Sequence, residues 1–177
     1  VSFNKQLILV LSMKNFWDII KRVIKDSDIL LLVLDARFPE LSSNKELREK
    51  TSHRPIIYIL NKCDLVEKAE LEKWKKKLGN CIFVSSREKF GTTILKKKIL
   101  SLARKEKVTV GVLGYPNTGK SSLINTLKGR KSAKTSSISG YTKRRQTLKI
   151  SERIYLVDTP GVLPYMEKDE TKLALIN

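Results

Sequence analysis

At 177 residues the chain is long enough for one domain with a real core, and its 41% hydrophobic content suits a folded protein rather than a disordered one. Its 36 Lys and Arg against 18 Asp and Glu leave a formal net charge of +18, which favours an anionic partner, either nucleic acid or an acidic membrane surface, and says nothing of the fold. No apolar run reaches the ~20 residues that a membrane-spanning helix needs, and the run at 7–11 is too short for a signal segment, with Lys14 following at once.

In chain order, residues 15–25 place Phe16, Ile19, Ile20, Val23 and Ile24 at the spacing of one helix face. Residues 29–34 are a solid apolar run, as in a strand buried on both sides. A polar, helix-compatible stretch follows at 44–51, then a second apolar run at 56–60. Residues 67–78 predict an exposed helix, 81–84 a short strand and 92–104 another helix. A buried strand at 108–113 leads to a helix at 120–127. Residues 145–151 alternate apolar and polar side chains, which suits an edge strand, and 154–157 are apolar again. Strands alternating with helices predict an α/β fold of three layers around a mostly parallel six-stranded sheet. Such sheets bind ligands beyond the carboxyl ends of their strands. Cys63 and Cys81 lie in apolar runs with neither metal-ligand spacing nor a disulfide framework, and read as structural thiols of a reducing cytosol. His53, the single histidine, sits in a polar loop and reads as a surface residue.

Three of the strand ends carry motifs. After 108–113 comes Gly114-Tyr115-Pro116-Asn117-Thr118-Gly119-Lys120-Ser121, which fits the phosphate-loop pattern G-x-x-x-x-G-K-[ST] between a strand and a helix. Glycines let backbone N–H groups, here those around Thr118 and Gly119, curl round phosphate oxygens, and the following helix turns its positive end to the anion. Lys120 would bridge the β- and γ-phosphates, Ser121 would ligate Mg²⁺, and Ser122 could reach the α-phosphate. After 56–60 stands Asn61-Lys62-Cys63-Asp64. A short carboxylate such as Asp64 can accept from guanine N1–H and N2–H₂, a donor pair that adenine lacks. The pattern is short, and alone it could equally be a turn closing a strand; beside a phosphate loop it reads as base recognition. After 154–157 stands Asp158-Thr159-Pro160-Gly161, where an Asp can hold Mg²⁺ through water and a Gly N–H can face the γ-phosphate.

Together these motifs resemble the GTPase family. The run at 114–121 looks like the first motif, 158–161 like the third and 61–64 like the fourth. Val84-Ser85-Ser86-Arg87 looks like the fifth, with Ser86 where the family usually has Ala. The fourth and fifth precede the first, so the order is 4-5-1-2-3, as in the circularly permuted GTPases. Leu34-Asp35-Ala36-Arg37-Phe38-Pro39 looks like the D-A-R-x-P signature of the YlqF/YawG subfamily, and Ser139-Gly140-Tyr141-Thr142 is similar to its P-G-x-T second motif. The resemblance implies a single permuted G domain over 1–177, with a base-recognition half at 14–106 and a phosphate-loop and switch half at 107–177. It implies GTP or GDP with Mg²⁺ as ligands, the metal being held by Ser121, Thr142 and Asp158, and base contacts from Asn61, Lys62, Asp64, Ser85, Ser86 and Arg87. Thr135 and Thr147 are poorer candidates than Thr142 because neither matches the motif. Many GTPases place a Gln after the third-motif Gly; here Val162 cannot orient water, so the resemblance points instead to a K⁺ ion held partly by Asn117. Hydrolysis would then rest on Lys120, Thr142, Gly161 and Asn117, with slow intrinsic turnover. The G-H-M segment of bacterial relatives has no counterpart, since Leu11-Ser12-Met13 contains no His. Relatives usually continue into a helical RNA-binding domain, which the resemblance places after Asn177, next to the third motif.

Between Lys89 and Ser151 the one acidic residue is Glu106, against Lys96-Lys97-Lys98, Arg104-Lys105, Lys107, Arg130-Lys131, Lys134 and Lys143-Arg144-Arg145. One-sign enrichment of this length favours a polyanion contacted through phosphate and shape, as in structured RNA. The family is associated with ribosome assembly, so rRNA or a large-subunit precursor is the preferred partner of a cytoplasmic, monomeric switch that does not bind membranes. Two other readings stay open: a GTP-gated RNA-binding module with incidental hydrolysis, and a GTPase acting on tRNA or a protein client.

Overall fold

The computed structural model describes residues 17–43, 45–129 and 147–157. Helix α1 covers 17–26 and leads into β1 (Ile29–Asp35). There follow α2 (Lys45–Thr51), β2 (Ile56–Asn61), α3 (Lys68–Leu78), β3 (Cys81–Val84), α4 (Thr92–Leu102), β4 (Val108–Gly114) and α5 (Lys120–Lys128). The edge strand β5 (Thr147–Lys149) and β6 (Ile154–Val157) complete the sheet. The strand order is β3-β2-β1-β4-β6-β5, with every neighbouring pair parallel except β5 and β6. This is the α/β, six-stranded arrangement that the alternating pattern predicts.

All seven residues of β1 are buried, because helices cover both faces of the sheet. Ile29, Leu31 and Val33 point to one side, where Leu95 and Ile99 of α4 and Leu123 and Leu127 of α5 pack on them. Leu30 and Leu32 point to the other, against Ile20, Val23 and Ile24 of α1 and Leu47 of α2. Leu71 of α3 extends that second layer over Leu34, Leu60 and Cys81. The alternation follows from the period of two along a strand. Gly111 in β4 lets the end of α1 lie close on the sheet, since a Cβ there would collide with Ser27 and Val23.

The two halves of the chain fill opposite sides of the sheet. From β1 the chain goes outward to β2 and β3 on one side, and from β4 it goes to the edge strand β5 and turns back to β6 on the other. The winding direction therefore changes between β1 and β4, and the crevice beyond the carboxyl ends of those strands is where such sheets hold ligands. Asp35 ends β1 and Gly114 ends β4.

Candidate nucleotide site

The loop after β4 is shaped by close approaches. A Cβ on Gly114 would strike the Val33 carbonyl of the neighbouring strand, and one on Gly119 would strike Asn61 Nδ2. Gly119 also has φ 87°, the left-handed region that side chains avoid. Thr118 is fully buried and its hydroxyl donates to Tyr115 O at 2.9 Å, so its side chain is turned into the loop rather than to a ligand. Lys120 Nζ donates to the same carbonyl at 2.6 Å. Burial lowers the Lys120 pKa to about 8. Helix α5 starts at Lys120 with no side-chain cap, so its first N–H groups face the loop, as an anion site requires. Ser121 and Ser122 lie exposed on its first turn. Asn117, at φ 59°, is exposed at the loop tip.

The loops after β2 and β3 meet this one from the side. Asn61 is buried, and its amide Nδ2 donates to Thr118 O at 2.8 Å. Its Oδ1 accepts from Ser86 N at 3.3 Å and from Ser86 Oγ at 3.0 Å. One side chain thus ties the fourth, fifth and first motifs together. Thr126 of α5 adds a bond to Ser86 O at 3.1 Å. Ser85 is also buried, and its hydroxyl accepts from Glu88 N at 3.1 Å, which closes the turn into α4. Asn61, Lys62, Asp64, Leu65, Ser86, Arg87, Gly119 and Ser122 line a cavity of about 350 Å³. Asp64 and Leu65 are exposed at its mouth.

Behind the cavity, Lys62 stands at φ 61° with its Nζ 2.7 Å from Asp35 Oδ2. Asp35 has no exposed side-chain surface. It accepts from Arg37 Nε at 3.0 Å, Arg37 Nη2 at 2.8 Å and Arg37 N at 3.0 Å. Burial works against the ionised carboxyl, but the bonds from Arg37 and Lys62 outweigh it and hold its pKa below the ordinary carboxylate value.

The structure therefore brings Asn61, Lys62, Asp64, Ser86, Arg87, Gly119 and Ser122 around one space, with Asn117, Thr118, Lys120 and Ser121 in the adjoining loop and helix start. Thr142, Asp158, Gly161 and Val162 lie outside the described residues. Two features escape a reading of the motifs alone. Asn61 serves as a brace between loops, and Asp35 with Arg37 grips Lys62. The available signal was chemical: an amide can donate and accept at once, and an Asp two residues before an Arg can take a forked contact.

A family profile described as "50S ribosome-binding GTPase" matches residues 109–177. The GNP-bound structure of YlqF from T. maritima superimposes over 88% of this chain and 61% of its own, with a TM-score of 0.64 and 30% identity. YlqF is a circularly permuted GTPase, and here too the fourth- and fifth-motif loops after β2 and β3 precede the phosphate loop after β4. The domain has the fold and the motif order of the circularly permuted GTPases. Among curated relatives of this GTPase domain, the uncharacterized GTP-binding protein MJ1464 of Methanocaldococcus jannaschii is 46% identical over 158 residues, covering 86% of this chain and 42% of that protein. Nucleolar GTP-binding protein 2 of Saccharomyces cerevisiae is 37% identical over 169 residues, covering 88% of this chain and 35% of that protein. The chain thus spans well under half the length of these curated relatives. No described helix of the domain is long and apolar enough to cross a membrane.

Proposed function

We propose that the chain is a GTP-binding and GTP-hydrolysing switch of the cytoplasm that acts in large ribosomal subunit assembly through contact with rRNA. One observation carries the nucleotide part: the phosphate loop and the two base-side loops converge on a single cavity and are fastened there by Asn61. Asp64 at the cavity mouth accepts from the guanine edge, and Ser86, which lines the same cavity, turns its N–H from Asn61 Oδ1 to the base oxygen when nucleotide binds. Lys120 exchanges Tyr115 O for the β- and γ-phosphates, which hold it charged. The donor set fits Mg²⁺, with Ser121 on the first turn of α5 and Thr142 and Asp158 as its further ligands; the ion would neutralise charge on the phosphates. Asn117 at the loop tip is the residue we assign to K⁺, and Gly161 N–H to the γ-phosphate.

The partner reading rests on the relatives' names and on charge. Apart from Lys120, which serves the phosphates, helices α4 and α5 carry Lys96, Lys97, Lys98 and Lys128 and no acid. Helices α1, α2 and α3 intersperse their bases with Asp18, Asp26, Glu46, Glu49, Glu70 and Glu72. A surface of one sign suits phosphate contacts, whose strength falls steeply with salt. With Val162 in the usual Gln position, intrinsic turnover is slow. The deciding experiment measures GTP turnover in K⁺ and in Na⁺, with and without purified large ribosomal subunits. Stimulation by both supports the switch; GTP binding with turnover indifferent to both would replace it by a GTP-gated binding module.

A further inference from the structure

The forked cluster behind the base cavity has no assigned task. Asp35 and Arg37 do not line the cavity, yet Lys62, which does, is bonded through its ammonium to Asp35. The ammonium of Lys62 is thus tied to a residue outside the cavity, which leaves the rest of the residue to line it. A lysine stem left free would sample many rotamers, and ordering it on nucleotide binding would cost conformational entropy. We propose that Asp35 is a positioning residue for the guanine base, acting through Lys62: the carboxylate holds the ammonium so that the stem forms a pre-set apolar wall against the base plane.

Three features of the fold support this. Register places Asp35 directly beside Asn61 across β1 and β2, and Ala36 N–H donates to Asn61 O at 2.8 Å, so the clamp is built on the strand ends that carry the fourth motif. Arg37 makes the clamp possible. A buried carboxylate bonded to Lys62 alone would keep unsatisfied lone pairs, whereas the Arg37 fork and the Arg37 N–H fill them. Finally, Lys62 is in the left-handed region, where a non-glycine residue is strained, and strain of that kind persists only where the surroundings impose it. The ion pair to Asp35 holds its side-chain end, and the 3₁₀ turn at Cys63–Leu65 follows directly on its backbone.

This inference rests on the guanine-nucleotide reading of the cavity, and the experiment separates the two. Affinity for fluorescent GDP is measured for the unaltered chain, Asp35→Asn, Lys62→Gln and the double variant, with circular dichroism as a check on folding. If the unaltered chain fails to bind GDP, the reading of the cavity is lost. If it binds, we expect Asp35→Asn to weaken it about tenfold, as for loss of one charge-assisted hydrogen bond. The double variant should be no weaker than Lys62→Gln alone, because Asp35 acts through that lysine. Additive losses, or an unchanged Asp35→Asn, would overturn the proposal. Should Asp35→Asn not fold, NMR of the unaltered GDP complex decides. A slowly exchanging Lys62 ammonium signal, assigned with Lys62→Arg, is expected, and a freely exchanging one refutes the clamp.

Discussion

The two sides of the nucleotide site are built by different means. On the base side, side chains are wired to one another: Asn61 to Ser86, Thr126 to Ser86, Lys62 to Asp35, Asp35 to Arg37. On the phosphate side, the donors are backbone N–H groups at the uncapped start of α5, and Lys120, the charged side chain among its described residues, rests on the loop's own Tyr115 carbonyl. The difference matches the ligand. A base must be told from other bases, which needs fixed polar groups; a phosphate chain needs many donors and one cation that can move to it. Asn61 bonds to both sides, through Thr118 O and Ser86, and so does Thr126, through Ser122 O and Ser86 O.

Removing the space between the two sides should have the largest effect. Gly119→Ala puts a methyl group into Asn61 Nδ2 at a backbone angle that alanine resists. We expect GDP affinity to fall by a factor on the order of 100 or more, read by fluorescence titration. Affinity within about threefold of the unaltered chain would mean that the two loops are not in contact when nucleotide is bound.

Next comes the base side alone. Asp64→Asn replaces an acceptor pair by an amide that suits a carbonyl beside N1–H, so GDP should weaken about 100-fold while xanthosine diphosphate gains. Competition between the two diphosphates reads the change, and an unaltered preference would move base recognition away from Asp64. Asn61→Ala should be milder on affinity, about tenfold, but it leaves Thr118 O and Ser86 N–H without their partner. It should also lower stability by about 1–3 kcal/mol, seen as a reduced melting temperature without nucleotide. A loss of affinity with no loss of stability would show that Asn61 is a ligand contact rather than a brace.

Much of this was legible before any coordinates. The solid apolar run at 29–34 and the runs at 56–60 and 108–113 are read directly as strands, because a sheet covered on both faces buries nearly every position of its inner strands. The phosphate loop is legible because its chemistry is local, eight residues between one strand and one helix. What bridges distant segments was not. The pairing of Asn61 with Thr118 spans 57 positions, and nothing in the local pattern announces it. Asp35 and Lys62 are brought together by parallel registration of β1 and β2, which a single sequence does not disclose. At its C-terminal end the edge strand stops at Lys149 for a local reason: Ile150 turns inward to the core, and Ile150 N and Ser151 N both bond Ile154 O in a tight turn.

The smallest expected effect, and the most specific to the phosphate side, is a pair of opposite pH slopes from Lys120. In the unliganded chain burial holds its pKa at about 8, below the ordinary lysine value of 10.5. Phosphate oxygens beside the ammonium raise that pKa, so above about pH 8 binding must take up a proton, and affinity should fall by at most about tenfold per pH unit. Below pH 8 the lysine is already charged and the slope should vanish. Titrations between about pH 7 and 9 stay below loss of the guanine N1–H and isolate the lysine. Stability without nucleotide should run the other way. Between about pH 8 and 10.5 the unfolded chain holds a proton that the folded chain has lost, so this group makes folding more favourable as pH rises. A base-side group would give no such pair, since Asp35 titrates below the ordinary carboxylate range. Affinity that is flat from pH 7 to 9 would mean that Lys120 is not desolvated in the empty loop, and the phosphate side would then be as pre-set as the base side.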